Sequence, residues 1–355
     1  MSTWLIYGAY GYTGQLICAE ADRRDISFCV AGRNAERVQA IAQQYDVPGY
    51  PVALNETDGL HTALDTVDGV MHCAGPFEDT ALPMVEACLA TETHYLDITG
   101  EWNVFEALQH YDKNAQEAGI IVLPGTGFDV VPTDCVANTL SNACPEATSL
   151  ALGFVGLGAI SRGTARTALR GWGDGSRMRQ NGRLVTIPAG THTRSIDIAG
   201  RKRTLTAIPW GDVSTAYWST QIPTIAVYTY IPSLMRTLMR WADRLPNLLQ
   251  SLLRPLLDVY IRRTVDGPDA NARQTGASYV WGEVQAPDGI TYTARWEGPE
   301  GYTLTARTSV EIMHRLSTAA SSVPTGYQTP ATAFGADLVE SVEGSSPISI
   351  QQTAP

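Results

Sequence analysis

The sequence predicts an α/β fold, with an N-terminal doubly wound parallel sheet and a second α+β domain whose mixed sheet is largely antiparallel. Short apolar strands alternate with amphipathic helical segments up to about residue 124, which is typical of parallel βαβ units. After residue 125, strand-like segments follow one another with few helices between them, and turn signals such as Pro287-Asp-Gly289 favour hairpins. The length of 355 residues is enough for two hydrophobic cores.

The first 124 residues supply the parallel sheet. Apolar runs that end in glycine or a turn predict strands, and apolar positions at intervals of three and four predict helices. The predicted strands lie at residues 3–8, 27–32, 68–75, 93–97 and 120–124, and the predicted helices at about 13–24, 34–44, 82–90 and 102–118. The carboxyl ends of these strands should meet at one edge, where ligands of such sheets bind.

The remainder of the chain supplies the second sheet. Its predicted strands lie at residues 148–156, 183–188, 194–199, 203–208, 214–220, 224–230, 278–285 and 290–297. A long helix over Tyr302–Ala320 is expected to return to the first domain. The predicted domains are residues 1–130, completed by about 302–340, and residues 131–301, followed by a loosely ordered tail at 341–355.

The positions of the cysteines and histidines argue against a disulfide framework and against a metal site. All six cysteines lie in the first 144 residues, within apolar segments and without a CxxC pair. This pattern favours reduced, buried thiols and a cytoplasmic protein, and no disulfide framework or zinc site is predicted. The histidines show no paired ligand spacing, so no metal site is expected. The N-terminus has no basic segment, and no signal peptide is predicted.

The charge is unevenly distributed. The net charge is −11, yet residues 162–263 carry 16 basic and 5 acidic side chains, whereas residues 1–161 carry 5 and 21. A basic middle suggests contact with an anionic ligand, or ion pairs with the acidic first domain. Nucleic acid is not an expected partner, because the chain as a whole would repel it.

A glycine loop follows the first predicted strand. Gly8 allows the tight turn, Gly11 lets the backbone approach a pyrophosphate, and Gly14 lets the helix and strand pack closely. The helix N-terminus then offers N–H groups and a positive dipole to phosphates. This position predicts a dinucleotide site, with cofactor contacts from Gly8, Tyr10, Gly11, Tyr12, Thr13 and Gly14.

The end of the second strand selects the cofactor. An NAD site usually has a carboxylate there that accepts from the ribose 2′-hydroxyl. Here the sequence continues with Arg33 and Asn34, and no carboxylate occurs before Glu36. Arg33 can bind a 2′-phosphate bidentately, while Asn34 can cap the next helix or assist. NADP(H) is therefore predicted, although Arg33 could also be a solvated loop residue.

Three further segments carry a family resemblance: residues 73–77 (CAGPF), 94–101 (HYLDITGE) and 124–132 (PGTGFDVVP). Together with the glycine loop and residues 31–34 (AGRN), they resemble the saccharopine dehydrogenase-like oxidoreductases. Within that group the chain is similar to the NADP-binding-domain proteins and trans-acting enoyl reductases. The resemblance also covers residues 162–165, 208–212, 281–283 and 328–335.

The resemblance implies an NADP(H)-dependent oxidoreductase that moves hydride to or from a C=N bond, as in a saccharopine-type imine, or an enoyl C=C bond. It further implies a Rossmann domain and a second domain whose sheet covers the substrate and often forms a dimer. We therefore expect a homodimer and a small-molecule or lipid-linked substrate. A second hypothesis is a catalytically silent NADP(H)-binding scaffold or sensor that acts through an apolar or membrane-facing surface.

The later strand ends supply further candidates. Residues Ala74, Gly75, Pro76 and Phe77 are expected to contact the cofactor, with Phe77 against the nicotinamide, unless they form a plain turn. His94, Tyr95, Asp97, Asp129 and Asp134 are candidate proton donors, of which we favour Tyr95, Asp97 and Asp129 as catalytic. Substrate contacts are expected from Thr99, Glu101 and Phe128, although residues 99–101 could equally cap the helix that starts near Trp102.

The basic region 162–263 contains two segments for which the sequence allows more than one role. Arg162, Arg166 and Arg170 share one helical face, and we expect Arg162 and Arg166 to bind the substrate unless that face is solvated or lies between the domains. Residues 231–263 combine six arginines and two aspartates with large apolar residues. They could form core helices, a lid, a dimer contact or a peripheral membrane contact.

Overall fold

The computed structural model describes residues 2–156, 161–171, 173–198, 200–242 and 247–353. Its first half contains strands and helices in alternation, in the following order: β1 (Trp4–Tyr7), α1 (Tyr12–Arg23), β2 (Phe28–Gly32), α2 (Ala35–Tyr45), β3 (Gly49–Pro51), α3 (Thr57–Leu64), β4 (Gly69–His72), α4 (Phe77–Ala90), β5 (His94–Asp97), α5 (Trp102–Gln109), α6 (Asp112–Glu117), β6 (Ile121–Leu123) and α7 (Val131–Ala143).

The second half is richer in strands and ends with a helical return. The elements are β7 (Ser149–Gly156), α8 (Arg162–Arg170), β8 (Ser176–Gln180), β9 (Arg183–Ile187), β10 (Thr193–Ile198), β11 (Arg201–Ala207), α9 (Asp212–Thr220), β12 (Thr224–Tyr230), α10 (Ser233–Ala242), α11 (Asn247–Thr264), α12 (Ala270–Thr275), β13 (Ala277–Gln285), β14 (Thr291–Pro299), α13 (Gly301–Ala319), β15 (Gly326–Tyr327), α14 (Pro330–Phe334), α15 (Asp337–Glu340) and β16 (Ser349–Thr353).

The chain divides into two compact units. The first contains Met1–Val131 and Tyr302–Glu343, and the second contains Pro132–Gly301 and Gly344–Pro355. The first unit holds a seven-stranded sheet of order β15-β6-β5-β4-β1-β2-β3, and all of its strand pairs are parallel. The predicted doubly wound parallel sheet is confirmed. Its chain order reverses direction at β1, which places the switch point between β1 and β4.

The core of the first unit lies on both faces of this sheet. All four residues of β1 and all five of β2 are buried, as expected for a parallel sheet covered by helices. The C-terminal helix α13 packs on the loop after β6. There the Thr308 hydroxyl donates to the Thr126 carbonyl at 2.6 Å, and the Phe128 N–H donates to the Thr305 hydroxyl at 3.0 Å.

The second unit holds a nine-stranded mixed sheet. The central strand β7 pairs parallel with β12 and antiparallel with β13, and the remaining pairs are antiparallel. The predicted mixed, largely antiparallel sheet is confirmed. One apolar cluster is formed by Ala151, Val155, Ile196, Ile198, Leu205, Ala207, Ala226, Tyr228 and Trp281.

Helix α9 corrects the prediction of a strand at residues 214–220. Threonine and aromatic residues in this segment favour a strand locally, but tertiary contacts override that preference. The buried Asp212 carboxylate at the start of the helix accepts from the Thr133 hydroxyl at 2.8 Å. At the other end, Gln221 adopts a left-handed conformation (φ 58°) that ends the helix.

Two further expectations need correction. The tail was expected to be loosely ordered, but β16 pairs antiparallel with β14 over five residues. The backbone N–H and C=O groups of β16 there form hydrogen bonds with the edge strand β14. The single helix expected over 102–118 is two helices, α5 and α6, with a break at 110–111.

We expect Thr308→Val to lower the free energy of unfolding by about 1–2 kcal/mol, because the buried Thr126 carbonyl would lose a hydrogen-bond donor while the side-chain volume is kept. Urea denaturation measures this change. The control is Thr318→Val, since Thr318 is an exposed residue of the same helix, and its effect should be within about 0.5 kcal/mol. An equal loss in both variants would contradict this role of Thr308.

Candidate functional site

The candidate site lies at the carboxyl edge of the parallel sheet. Because all strands of this sheet run in one direction, the loops that follow β1, β2, β4, β5 and β6 lie along the same edge. These loops contain nearly all the residues that the sequence predicts for the cofactor and the proton donor.

The glycine loop has the tight geometry that a pyrophosphate site requires. Gly8 has a positive φ of 84°, and its N–H donates to the Ala31 carbonyl at 2.8 Å. A Cβ atom on Gly14 would lie 2.4 Å from the Gly8 carbonyl oxygen. Gly11 is the N-cap of α1 and has no side-chain cap, so the helix N-terminus is open to an anion. The loop therefore fits a dinucleotide.

The other loop residues support this geometry. The Tyr10 ring lies against Gly32, where an added Cβ would come within 2.6 Å of Tyr10 Cε1. The Tyr12 ring packs edge-to-face on Tyr302 of α13, with 5.0 Å between ring centroids. Thr13 is half-buried in the first turn of α1. The two tyrosines thus connect the loop to β2 and to the C-terminal helix.

Two arginines follow β2, Arg33 in the loop and Arg37 in the first turn of α2. Arg33 is exposed, and in the part of the chain that the structure describes its guanidinium makes no hydrogen bond or ion pair. The Asn34 side chain accepts from the Arg37 N–H at 2.9 Å and caps α2. Sequence reasoning missed Arg37, whose guanidinium lies 4.7 Å from the Tyr10 ring centroid. The available signal was its position in the first turn of the predicted helix, four residues after Arg33.

The loop after β4 lies against the glycine loop. A Cβ on Gly8 would be 2.9 Å from the Ala74 backbone nitrogen. Gly75 is exposed and Pro76 is half-buried at this edge. Phe77, however, is only 8% exposed, and its ring packs edge-to-face on buried His72. The ring of Phe77 thus packs into the core, and its contact with the nicotinamide stays a prediction.

Asp97 forms a closed hydrogen-bonded cluster at the end of β5. Its carboxylate accepts from the Tyr95 hydroxyl at 2.6 Å, from the Thr99 N–H at 2.9 Å and from the Gly125 N–H at 2.8 Å. Burial raises the pKa of Asp97 to about 6, and these three hydrogen bonds limit the rise. Asp97 and Tyr95 are fully buried. The cluster joins the loops after β5 and β6, and its geometry gives no support to a catalytic role for either residue.

Glu101 caps a different helix from the one expected. Its carboxylate accepts from the backbone N–H groups of Phe77 at 3.3 Å and Glu78 at 2.9 Å, at the N-terminus of α4. It is the N-cap residue of α5 but forms no side-chain cap there. The buried Thr99 hydroxyl accepts from the Glu101 N–H at 3.1 Å. Both residues position the loop, and neither presents an unoccupied side chain for a substrate.

Asp129 is the carboxyl group at this edge best suited to proton transfer. It is partly exposed, and it packs on Gly100, where an added Cβ would lie 2.8 Å from Asp129 Oδ2. Burial, with an added contribution from the negative charge of Glu101, raises the pKa of Asp129 to about 7. Such a group can hold or release a proton near neutral pH. Its neighbour Phe128 is half-buried, and the Phe128 N–H is bonded to Thr305.

The remaining candidates lie elsewhere. His94 Nδ1 accepts from the Ile121 N–H at 3.2 Å, and burial lowers the pKa of His94. In the second unit, buried Asp134 accepts from the Ser219 hydroxyl at 2.7 Å. There too, the predicted substrate residues Arg162 and Arg166 form ion pairs of 2.6 Å, with Asp266 and Asp258 respectively.

The described residues hold neither a metal-binding cluster nor a membrane-spanning helix. No group of three or more histidine, cysteine, aspartate or glutamate side chains in those ranges is arranged to hold a metal ion. Within the same part of the chain, no helix has both the length and the apolarity needed to cross a membrane.

The comparisons with known proteins relate residues 4–123 to a known family. The sequence model of the family described as "Saccharopine dehydrogenase NADP binding domain" matches residues 4–123. Over residues 4–123 the chain is therefore similar to that family. The family resemblance read from the sequence is thereby confirmed, and so is NADP(H) as the cofactor of this domain.

Two curated relatives cover part of the chain. A human saccharopine dehydrogenase-like oxidoreductase is 26% identical over 203 residues, which are 50% of this chain and 47% of the relative. A candidate trans-acting enoyl reductase of Mycobacterium tuberculosis is 31% identical over 152 residues, which are 40% of this chain and 36% of the relative. The chain thus spans about half the length, or less, of these relatives.

A solved structure matches over the whole chain. Saccharopine dehydrogenase (L-Glu forming) from Saccharomyces cerevisiae superposes with a TM-score of 0.65 and covers 100% of both chains at 14% identity. At this identity the match establishes the fold, a parallel dinucleotide-binding sheet with a second mixed sheet.

The raised pKa of Asp129 predicts a pH-dependent stability difference. Between its ordinary value of 3.8 and about 7, this group is protonated in the folded chain and ionised in the unfolded chain, so wild-type stability falls as pH rises through that window. Asp129→Asn removes this loss. At pH 4 and at pH 8 the free energy of unfolding of this variant is compared with that of wild type. The difference should shift in favour of the variant by on the order of 2 kcal/mol from pH 4 to pH 8, after allowance for partial exposure.

Urea denaturation at both pH values measures the difference. Asp65→Asn, which changes an exposed carboxylate of the same unit, is the control and should show less than about 0.5 kcal/mol of pH dependence relative to wild type. The same pH dependence in both variants would show that Asp129 is an ordinary surface carboxylate.

Proposed function

We propose that the chain is an NADP(H)-dependent oxidoreductase that transfers hydride to or from a C=N or C=C bond, with Asp129 as the group that exchanges the proton. The observation that carries the proposal is the position of Asp129, partly exposed at the same sheet edge as the glycine loop and with a pKa near 7. The names of the relatives, an oxidoreductase and a candidate enoyl reductase, support the reaction class.

The first part of the proposal concerns the adenosine end of the cofactor. The open N-terminus of α1 would hold the pyrophosphate, and Arg33 would bind the 2′-phosphate. Arg37 adds a second positive charge, fixed by its contacts with the Tyr10 ring and with the Tyr10 carbonyl at 3.3 Å. When bound, the nicotinamide supplies or accepts the hydride.

The second part concerns the proton. Reduction of a C=N or C=C bond adds one hydride and one proton. A carboxylic acid that is protonated near neutral pH can donate the proton, and in the reverse direction its carboxylate can accept one. Glu101 supports this role because its negative charge, held at the N-terminus of α4, disfavours ionisation of Asp129.

Whether a C=N or a C=C bond reacts depends on which substrate the chain binds. Arg162 and Arg166 were expected to bind a carboxylate of an amino-acid imine, but both guanidinium groups form ion pairs with aspartates. This favours a substrate that needs no carboxylate clamp from α8, such as an enone. The cytoplasmic location and the homodimer remain predictions.

We expect NADPH to bind more tightly than NADH, and Arg33→Ala to weaken NADPH binding by about 10- to 100-fold without changing NADH binding, since the variant loses a charge-assisted contact to the 2′-phosphate. Arg37→Ala should show a smaller loss in the same direction. Fluorescence titration of both cofactors measures the dissociation constants.

Arg23→Ala is the matched control for this titration, because Arg23 is an exposed arginine of the same unit that pairs with Glu20. It should leave both affinities within about twofold. Equal binding of the two cofactors by wild type, or an unchanged preference in Arg33→Ala, would refute the assignment of Arg33.

We expect wild type to oxidise NADPH with an enone or an imine, and kcat/KM for reduction to fall as pH rises above about 7, because the proton donor is then ionised. Asp129→Asn should lower kcat by about 100-fold and remove this fall, while NADPH affinity is kept. Absorbance of NADPH measures the rate over a series of enones and over amino-acid and keto-acid pairs.

Asp65→Asn should keep the wild-type rate and pH profile in the same assay. A wild-type pH profile in Asp129→Asn would exclude Asp129 as the proton donor. Tight NADPH binding without turnover on any of these substrates would contradict the oxidoreductase proposal and favour a cofactor-binding scaffold.

A further inference from the structure

A cavity of about 510 Å³ opens at the surface of the second unit. It is lined by the loop before β8, the end of β9, the turn before β10 and one residue of α10, and its lining includes Gly175, Thr186, Ile187, Pro188 and Arg240. We call it the Arg240 cavity. Its volume lies within the range of small-molecule sites, roughly 300–1,000 Å³.

Two glycines with left-handed backbone conformations shape the walls of this cavity. Gly175 has a φ of 74°, and an added Cβ there would lie 2.9 Å from the Ile187 carbonyl oxygen. Gly190, in the turn before β10, has a φ of 69°, and its added Cβ would lie 2.9 Å from the Arg236 carbonyl oxygen and 3.2 Å from Arg240 Cγ. The turn can therefore approach α10 closely only because Gly190 has no side chain.

Arg240 brings a positive charge to the cavity. It is half-buried, and its Nε donates to the Gly190 carbonyl at 2.8 Å. In the part of the chain that the structure describes, its guanidinium forms no ion pair and no other hydrogen bond. The two terminal nitrogens are thus available, and together they match two oxygens of a carboxylate or a phosphate. By contrast, four arginines of the basic region 162–263 are paired with acidic residues, namely Arg162, Arg166, Arg194 and Arg254.

The other lining residues suit an anion that carries an apolar group. The Thr186 side chain is exposed, and its hydroxyl forms no hydrogen bond within the described ranges, so it can donate to a ligand. Ile187 and Pro188 supply an apolar wall beside it. Asp174, a carboxylate among the described lining residues, pairs with Arg254 at 3.7 Å, and this positive charge offsets its own.

We propose that the Arg240 cavity binds a small organic anion, a carboxylate or a phosphate monoester, with its charged group on Arg240 and its apolar body against Ile187 and Pro188. A bare inorganic anion would leave the apolar wall and most of the volume unused. The lining residues all belong to the second unit, whereas the glycine loop and Asp129 belong to the first. The proposal does not depend on the reaction proposed above.

Isothermal titration calorimetry of the full chain with octanoate, octyl phosphate and octanamide tests this proposal. Octanamide has the same apolar chain but no charge. At least one of the two anions should bind about tenfold or more tightly than octanamide, and the one that binds more tightly identifies the charged group. This preference should weaken between about 0.1 and 0.5 M NaCl.

Two variants test the cavity itself. Arg240→Gln should weaken binding of the preferred anion by at least about tenfold and leave octanamide binding within about twofold, because only the charged contact is lost. Thr186→Glu should weaken anion binding in the same way, because it adds a negative charge to the cavity wall while the Arg240 contact with Gly190 is kept.

Arg183→Gln is the matched control, since Arg183 is an exposed arginine of β9 that is not among the described lining residues. It should bind the anion like wild type. Circular dichroism and NADPH affinity should be unchanged in all three variants, which separates loss of binding from loss of fold. The proposal is overturned if neither anion binds more tightly than octanamide. It is also overturned if Arg240→Gln and Thr186→Glu bind the preferred anion like wild type, or if Arg183→Gln weakens its binding equally.

Discussion

The candidate site depends on one buried carboxylate. Asp97 accepts hydrogen bonds from the Tyr95 hydroxyl and from the N–H groups of Thr99 and Gly125, so a single side chain joins the ends of β5 and β6. The Thr126 N–H also donates to the Asp97 carbonyl, at 2.8 Å. Two neighbouring strand ends are thereby held in one arrangement. The loops that follow them carry the carboxyl groups of Glu101 and Asp129. Without this cluster, the buried N–H groups would have to find other acceptors.

The position of the loops then sets the charge of the site. The loop after β5 directs the Glu101 carboxylate to the N-terminus of α4, where two N–H groups and the helix dipole favour a negative charge. The loop after β6 places Asp129 within the field of that charge and in a poorly solvated position, which raises its pKa to about 7. The two carboxyl groups thus have different tasks. Glu101 is held as a structural anion, and Asp129 can exchange a proton.

Sequence reasoning predicted what depends on local pattern. The strand–loop–helix order, the glycine loop and the position of Arg33 follow from periodicity and spacing within some 30 residues. It failed where long-range contacts decide. Glu101 was expected to bind substrate or cap α5, yet it caps α4, more than 20 residues upstream. Residues 214–220 have strand-forming side chains, yet Asp212 anchors them as a helix. The family resemblance supplied the cofactor and fold class, but it could not supply these contacts.

Part of the basic middle is paired within the second unit, where Arg162, Arg166, Arg194 and Arg254 each form an ion pair with an acidic residue. The ion pairs of Arg162 with Asp266 and of Arg166 with Asp258 use guanidinium groups that could otherwise bind a substrate carboxylate. A substrate carboxylate would compete with these aspartates for the guanidinium groups, and their negative charges would oppose its approach.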